Sequence, residues 1–192
     1  MLQSIVLSLG MIFSSGEGTQ ANYKVDTKAS TVEWLGKKVT GQHNGVVSLK
    51  SGSFEFTDGV LTGGTFTVDM TTIEDSDMTG EYKGKLEGHL KSDDFFGVDK
   101  YPTSVFVITK AVPQGPGKYK VVGNITIKGT TEEIQFPATL EEKDGQVTGT
   151  ASLTIDRSKF DVRYGSGSFF DDLGDKTIYD DFELTVNIVA SK

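Results

Sequence analysis

The feature that most constrains this chain is a two-residue alternation of apolar and polar side chains, which returns run after run along most of its length. Between 65 and 71, Phe66, Val68 and Met70 share one parity, while Thr65, Thr67, Asp69 and Thr71 share the other. Successive side chains of a β-strand point to opposite faces, so this is the period of a strand buried on one side and wetted on the other. The pattern recurs in Tyr119, Val121, Gly123, Ile125 and Ile127, and again in Ile134, Phe136, Ala138 and Leu140. Two later runs repeat it: Val147, Gly149, Ala151, Leu153 and Ile155, then Phe182, Leu184, Val186, Ile188 and Ala190. Half-buried strands of this kind pair antiparallel. Lys128-Gly129 and Lys143-Asp144-Gly145 supply hairpin turn chemistry between neighbours.

Less regular runs at 30–39, 43–57 and 103–112 bring the expected strands to eight in one continuous domain with no Pro- or Ser-rich linker. Eight strands suit a closed barrel. Ile73 falls out of phase with Met70, as at a bulge or a strand end. Between the third and fourth runs the period changes: Met78, Tyr82, Leu86 and Leu90 recur every four residues, which predicts one amphipathic helix.

That helix must end before "SDDFFGVDKYP", because Ser92-Asp93-Asp94 favours turns and Tyr101-Pro102 forbids helical continuation. Phe95 and Phe96 therefore fall in a connection. A second connection, about 157 to 179, carries another adjacent pair, Phe169-Phe170, and is expected to be irregular or briefly helical before the last strand. Phe pairs so placed either plug a barrel or stand at its mouth. Inside, Gly123, Gly149 and Ala151 alternate with Ile125, Leu153 and Ile155, a pattern compatible with a lengthwise apolar slot or with ordinary interdigitation.

The reactive chemistry available is sparse. The chain has no cysteine, which removes disulfides, thiolate metal sites and a thiol nucleophile. No Gly-x-Ser-x-Gly elbow occurs, and His43 and His89 are the only imidazoles. Two histidines without His-Glu-x-x-His spacing need a carboxylate recruited from elsewhere to hold zinc, so they are read as structural, with no metal site, cofactor or catalytic residue expected. The acidic cluster Asp171, Asp172, Asp175, Asp180 and Asp181 lacks the ligand spacing of a calcium loop. With 19 basic and 27 acidic residues and a net charge of −8, the surface repels phosphate backbones, which argues against a nucleic-acid partner.

At the N-terminus, "IVLSLGMIF" (5–13) is followed by Thr19-Gln20-Ala21, a small-x-small site, and resembles a secretory signal, although Met1 to Ser4 carry no Lys or Arg. Residues 1–21 are expected to be removed and 22–192 to form the domain, exported to the periplasm or secreted. The apolar run is shorter than the roughly 20 residues a spanning helix needs, so no stable membrane span is expected.

Taken together, Trp34, "GQHNG" (41–45), "VDMTTIE" (68–74), "HLKSDDFFGVDKYPTSVF" (89–106), "GNITIKGTTEEIQFP" (123–137), "IDRSKFDV" (155–162) and "DDFELTVNIVA" (180–190) resemble the YceI-like family of lipid- and polyisoprenoid-binding, lipocalin-like proteins. The resemblance runs from about Tyr23 to the C-terminus. It implies an all-β, extended eight-stranded antiparallel barrel, periplasmic or secreted, whose interior takes an isoprenoid or similar amphiphile, in some members as a homodimer. His43 with Gly45, His89 through Phe96, and Arg157 with Phe160 match family marks.

The function expected is a non-enzymatic carrier lined by Trp34, Phe66, Val68, Met70, Phe106, Ile125, Ile127, Phe136 and Leu153, with Phe95 and Phe96 at the mouth or plug. Two alternatives stay open: an enzyme using His43 and His89 with or without a divalent metal, and a filled barrel acting as an interaction module.

Overall fold

Three of the strand reversals are built on residue pairs that both take positive φ: Asp58-Gly59 (51° and 76°), Lys128-Gly129 (49° and 79°) and Asp144-Gly145 (53° and 78°). A two-residue turn of this hand continues the twist of the strands it joins, so each pair folds its flanking runs into an antiparallel hairpin. In the computed structural model, which describes residues 18–192, these hairpins belong to one sheet. Its strands are β1 (Gln20–Val25), β2 (Thr31–Lys38), β3 (Gly41–Thr57), β4 (Val60–Asp75), β5 (Thr103–Gly115), β6 (Lys118–Ile127), β7 (Thr130–Lys143), β8 (Gln146–Asp156) and β9 (Ile178–Ser191). One helix, α1 (Gly80–Lys91), follows β4, and short 3-10 turns at Arg157–Phe160 and Gly174–Lys176 interrupt the connection before β9.

The sheet closes on itself. Neighbours run β3-β2-β9-β8-β7-β6-β5-β4, and β4 pairs back onto β3. The ninth strand does not widen the barrel. β2 pairs with the leading half of β3 and most of β9, whereas β1 pairs with Ser53 to Thr57 of β3 and with Ala190 and Ser191 of β9. β1 and β2 thus share one of eight places around the wall, at opposite ends. The sequence reading found the eight runs and missed β1. The helix read between the third and fourth strands lies between β4 and β5 once β1 is counted.

The barrel is long because its strands are: β3 has 17 residues, which at about 3.3 Å each span roughly 55 Å. The phase break at Ile73 is a register shift, since Val46 pairs with Glu74 but Ser48 pairs with Asp69. The excess chain in β4 turns both Met70 and Ile73 inward, where each is buried.

Burial follows parity to the closed base. There Tyr23, Phe54, Phe56, Leu61, Val147 and Ala190 are all buried, and their rings interlock edge to face, Tyr23 on Phe56 at 5.3 Å and Phe54 on Phe66 at 5.0 Å. β1 therefore seals this end with Tyr23, whose hydroxyl donates to Glu142.

The helix lies outside the wall. No α1 residue is fully buried, and Tyr82 is 70% exposed, contrary to the four-residue period read from the sequence. A strict spacing of four overshoots the helical repeat by about 40° per step, so Met78, Tyr82, Leu86 and Leu90 spiral away from one face. The side chains that turn toward the protein are Lys83, Leu86, Glu87 and Leu90, half-buried at i, i+3, i+4 and i+7. Lys83 bonds Glu74 of β4 at 2.6 Å, and the Glu87 carboxylate accepts the Asp75 N–H at 3.0 Å.

Candidate ligand-binding cavity

The inward parity of the strands encloses two apolar cavities placed end to end. The upper one, about 140 Å³, is bordered by Trp34, Val47, Met70, Ile73 and Ile127 from the wall and by Leu90, Phe95 and Phe96 from the helix and the connection after it. The lower one, about 130 Å³, is bordered by Phe54, Leu61, Phe66, Phe106, Phe136 and Leu153, with Gly149 and Ala151. Val32, Val68, Ile125 and Leu184 border both. These four form the waist between the cavities.

All eleven residues expected to line the interior border one cavity or both. Trp34, Met70, Ile127, Phe95 and Phe96 stand at the upper, Phe66, Phe106, Phe136 and Leu153 at the lower, and Val68 and Ile125 at the waist. The reading missed Val32 and Gly36, which share the inward parity of Trp34, and it left Leu184 off the lining although it lies on an apolar face already identified. A Cβ built on Gly36 meets nothing within 4 Å, so this glycine leaves part of the upper cavity open.

The glycines behave differently from one another. At Gly123 a Cβ would come within 2.5 Å of the Phe106 ring and 2.4 Å of the Val107 carbonyl. There the missing side chain is replaced by a cross-strand aromatic ring. Gly149 borders the lower cavity and faces the Phe54 ring at 3.1 Å. At both positions the small residue is met by a neighbouring aromatic ring, more tightly at Gly123 than at Gly149.

The first Phe pair turns inward. The connection folds on itself through Phe95 N–H to the Ser92 carbonyl at 3.0 Å, Phe96 N–H to Leu90 at 3.1 Å and Gly97 N–H to Ser92 at 2.8 Å, with Gly97 at φ 58°. Only a residue free to adopt positive φ reverses the chain this tightly. Phe95 is 8% exposed, meets Phe96 edge-on at 5.0 Å and lies 5.3 Å beneath the Arg157 guanidinium. Phe96 reaches Phe182 at 6.4 Å. The second pair stays outside, Phe169 39% and Phe170 49% exposed, with Arg163 over the Phe169 ring at 4.9 Å.

Polar groups around the upper cavity are mostly spoken for. Arg157 is 2% exposed and donates to the carbonyls of Val162 (2.7 Å), Ile178 (3.0 Å) and Tyr179 (3.2 Å), with Asp180 at 3.4 Å. Burial lowers its pKa while Asp180 and Asp156 oppose that shift, and a guanidinium stays cationic throughout. The buried Ser104 hydroxyl donates to the Thr126 carbonyl at 2.7 Å. One donor is left over: the buried Trp34 Nε1 has no hydrogen-bond partner among the described residues. Lys37, Tyr179 and Asp181 stand at the rim, where β2–β9 pairing shifts register between Gly36 and Lys38.

The two histidines part company. His89 packs edge-on against Tyr164 at 4.3 Å and Phe95 at 5.9 Å. His43 sits outside the upper end, its Nδ1 3.3 Å from Asp77.

The sequence matches the YceI-like domain family over residues 23–190. A UPF0312 protein of Pseudomonas putida strain W619 is 30% identical over 174 residues, 82% of this chain and 85% of that protein. A UPF0312 protein of Staphylococcus aureus strain USA300 is 34% identical over 155 residues, 74% of this chain and 83% of that protein. Among solved structures, BcnA of Burkholderia cenocepacia aligns with a TM-score of 0.68 at 25% identity, covering 87% of this chain and 99% of its own. A polyisoprenoid binding domain from Saccharophagus degradans, implicated in plant cell wall breakdown, shares the fold at a TM-score of 0.64 and 10% identity, covering 88% and 97%.

Proposed function

We propose, from the premise that this chain belongs to the YceI-like family, that it is a non-catalytic carrier holding one long apolar chain, a polyisoprenoid or similar amphiphile, along the barrel axis. The observation that carries this reading is the shared waist, because two apolar cavities with four lining residues in common adjoin one another, as the seat of a single slender ligand would require. Each cavity approaches the roughly 150 Å³ engineered void that takes up benzene, so each seats a segment about the size of one isoprene unit. Burial of methylenes contributes about 0.8 kcal/mol each and needs no reactive group. The likeness in fold to a polyisoprenoid binding domain supports the same class of ligand.

The ligand's polar end belongs at the rim near Lys37 and Tyr179, with the apolar tail directed toward the base sealed by Tyr23. The unpartnered Trp34 N–H favours a terminal group that accepts a hydrogen bond. Residues 1–21 act as an export signal in this reading and the carrier works in the periplasm or outside the cell; all but the last four of them lie outside the described residues. No helix among the described residues is long and apolar enough to cross a membrane.

The test is uptake of polyprenols of graded length by the delipidated chain, followed by the fluorescence of Trp34, the single tryptophan. Affinity is expected to rise with length, up to about fourfold per buried methylene, and then level off when the slot is full. Affinity independent of length, or no uptake at any length, contradicts the carrier reading.

A further inference from the structure

Strand register gathers three metal-ligating side chains that lie far apart in sequence. His43 opens β3 and Asp75 closes β4, and the pairing of Gly45 with Asp75 sets their strands side by side. Asp77 follows two residues later, held there by the Ser76 N–H donating to the Asn44 carbonyl at 2.8 Å. One ligating atom from each of the three lies within 4.8 Å of the others.

A second observation points to a ligand. Asp75 is 0% exposed; its Oδ1 accepts the Met78 N–H at 2.7 Å, while Oδ2 is buried with no hydrogen-bond partner among the described residues. A buried carboxylate oxygen left without a donor carries a desolvation cost that a cation would remove. The neighbouring cation, Lys83, is engaged elsewhere, on Glu74 at 2.6 Å and Glu87 at 3.7 Å.

We propose that His43, Asp75 and Asp77 form a three-ligand site for a first-row divalent transition metal, represented by Zn²⁺, with water at the fourth position. The separation of His43 Nδ1 and Asp77 Oδ2, 3.3 Å, equals the edge of about 3.3 Å between donors each roughly 2.0 Å from a tetrahedral ion. An imidazole beside two carboxylates selects zinc-like ions over calcium or magnesium, which take all-oxygen shells. His43 and Asp77 remain partly exposed, at 29% and 35% of their side-chain surfaces, so an ion reaches the site from solvent. Bound there, it clips β3 to the end of β4 and to the chain leading into α1. The proposal is independent of the carrier reading.

Chelator-treated full-length chain is titrated with Zn²⁺ against a chromophoric chelator, alongside His43→Gln, Asp77→Asn and Asp75→Asn, with His89→Gln as control. One Zn²⁺ per chain is expected, with affinity at least tenfold weaker in each site variant and unchanged in the control. At Zn²⁺ a hundredfold above the dissociation constant, the wild-type Tm is expected to rise by about 5–10 °C, and not in His43→Gln. His43 and Asp77 are on the surface, so their variants decide the question even if Asp75→Asn fails to fold. Absence of stoichiometric Zn²⁺ binding, or a folded His43→Gln that binds as tightly as wild type, overturns the site.

Discussion

At the scale of single residues, two positions separate holding the fold from making room inside it. Arg157 is buried and feeds three carbonyls of the connection that leads into β9. Arg157→Met keeps the apolar stem but strands those acceptors and leaves Asp180 without its partner, so a loss of about 3–5 kcal/mol is expected in urea unfolding. A loss under about 1 kcal/mol would show that the guanidinium is dispensable there. Gly36 is the opposite case, since its inward direction is open and its backbone imposes no strain. Gly36→Phe is expected to fill the upper cavity, to leave or raise the Tm, and to abolish polyprenol uptake. Undiminished uptake by the folded variant would place the ligand elsewhere. The aromatic lining was legible because parity alone assigns Phe66, Phe106 and Phe136 to one face, but parity cannot mark a glycine as an open wall. Arg157 stood out only through family resemblance, since nothing in its neighbours announces a buried cation. The grouping of His43 with Asp75 was hidden because it depends on strand register, not on spacing along the chain.

At the scale of elements, most strands announced themselves through alternation and Gly-containing turns, while β1 did not. β1 is six residues long, and the expected cleavage after Ala21 cut across it, which left only Tyr23 and Val25 of its alternation in the domain, too short a run to stand out as a strand. Its role is nonetheless concrete: Tyr23, 1% exposed, closes the base of the barrel. Tyr23→Ala is expected to cost about 3–5 kcal/mol by leaving a void under Phe56, measurable as a lowered denaturation midpoint. The helix provides the contrast. Tyr82 was read as part of its buried face, yet it is 70% exposed, and Tyr82→Ser is expected to change stability by no more than about 0.5 kcal/mol. A larger loss on Tyr82→Ser than on Tyr23→Ala would reverse this assignment of which element is structural.

At the scale of the whole molecule, the long strands, the base filled by Tyr23 and the inward-turned Phe95 and Phe96 together make a barrel packed below and bordered above by aromatic rings. An interior of this shape has little polar chemistry to offer and a large apolar area, which is why the account assigns it to holding a chain. The most direct measurement of that claim is a mass spectrum of the organic extract of the protein purified from its native host and denatured in the solvent. An isoprenoid or similar amphiphile at near one per chain is expected, depleted in Gly36→Phe. An extract with no such molecule, from a protein that also fails to take up polyprenols afterwards, would contradict it.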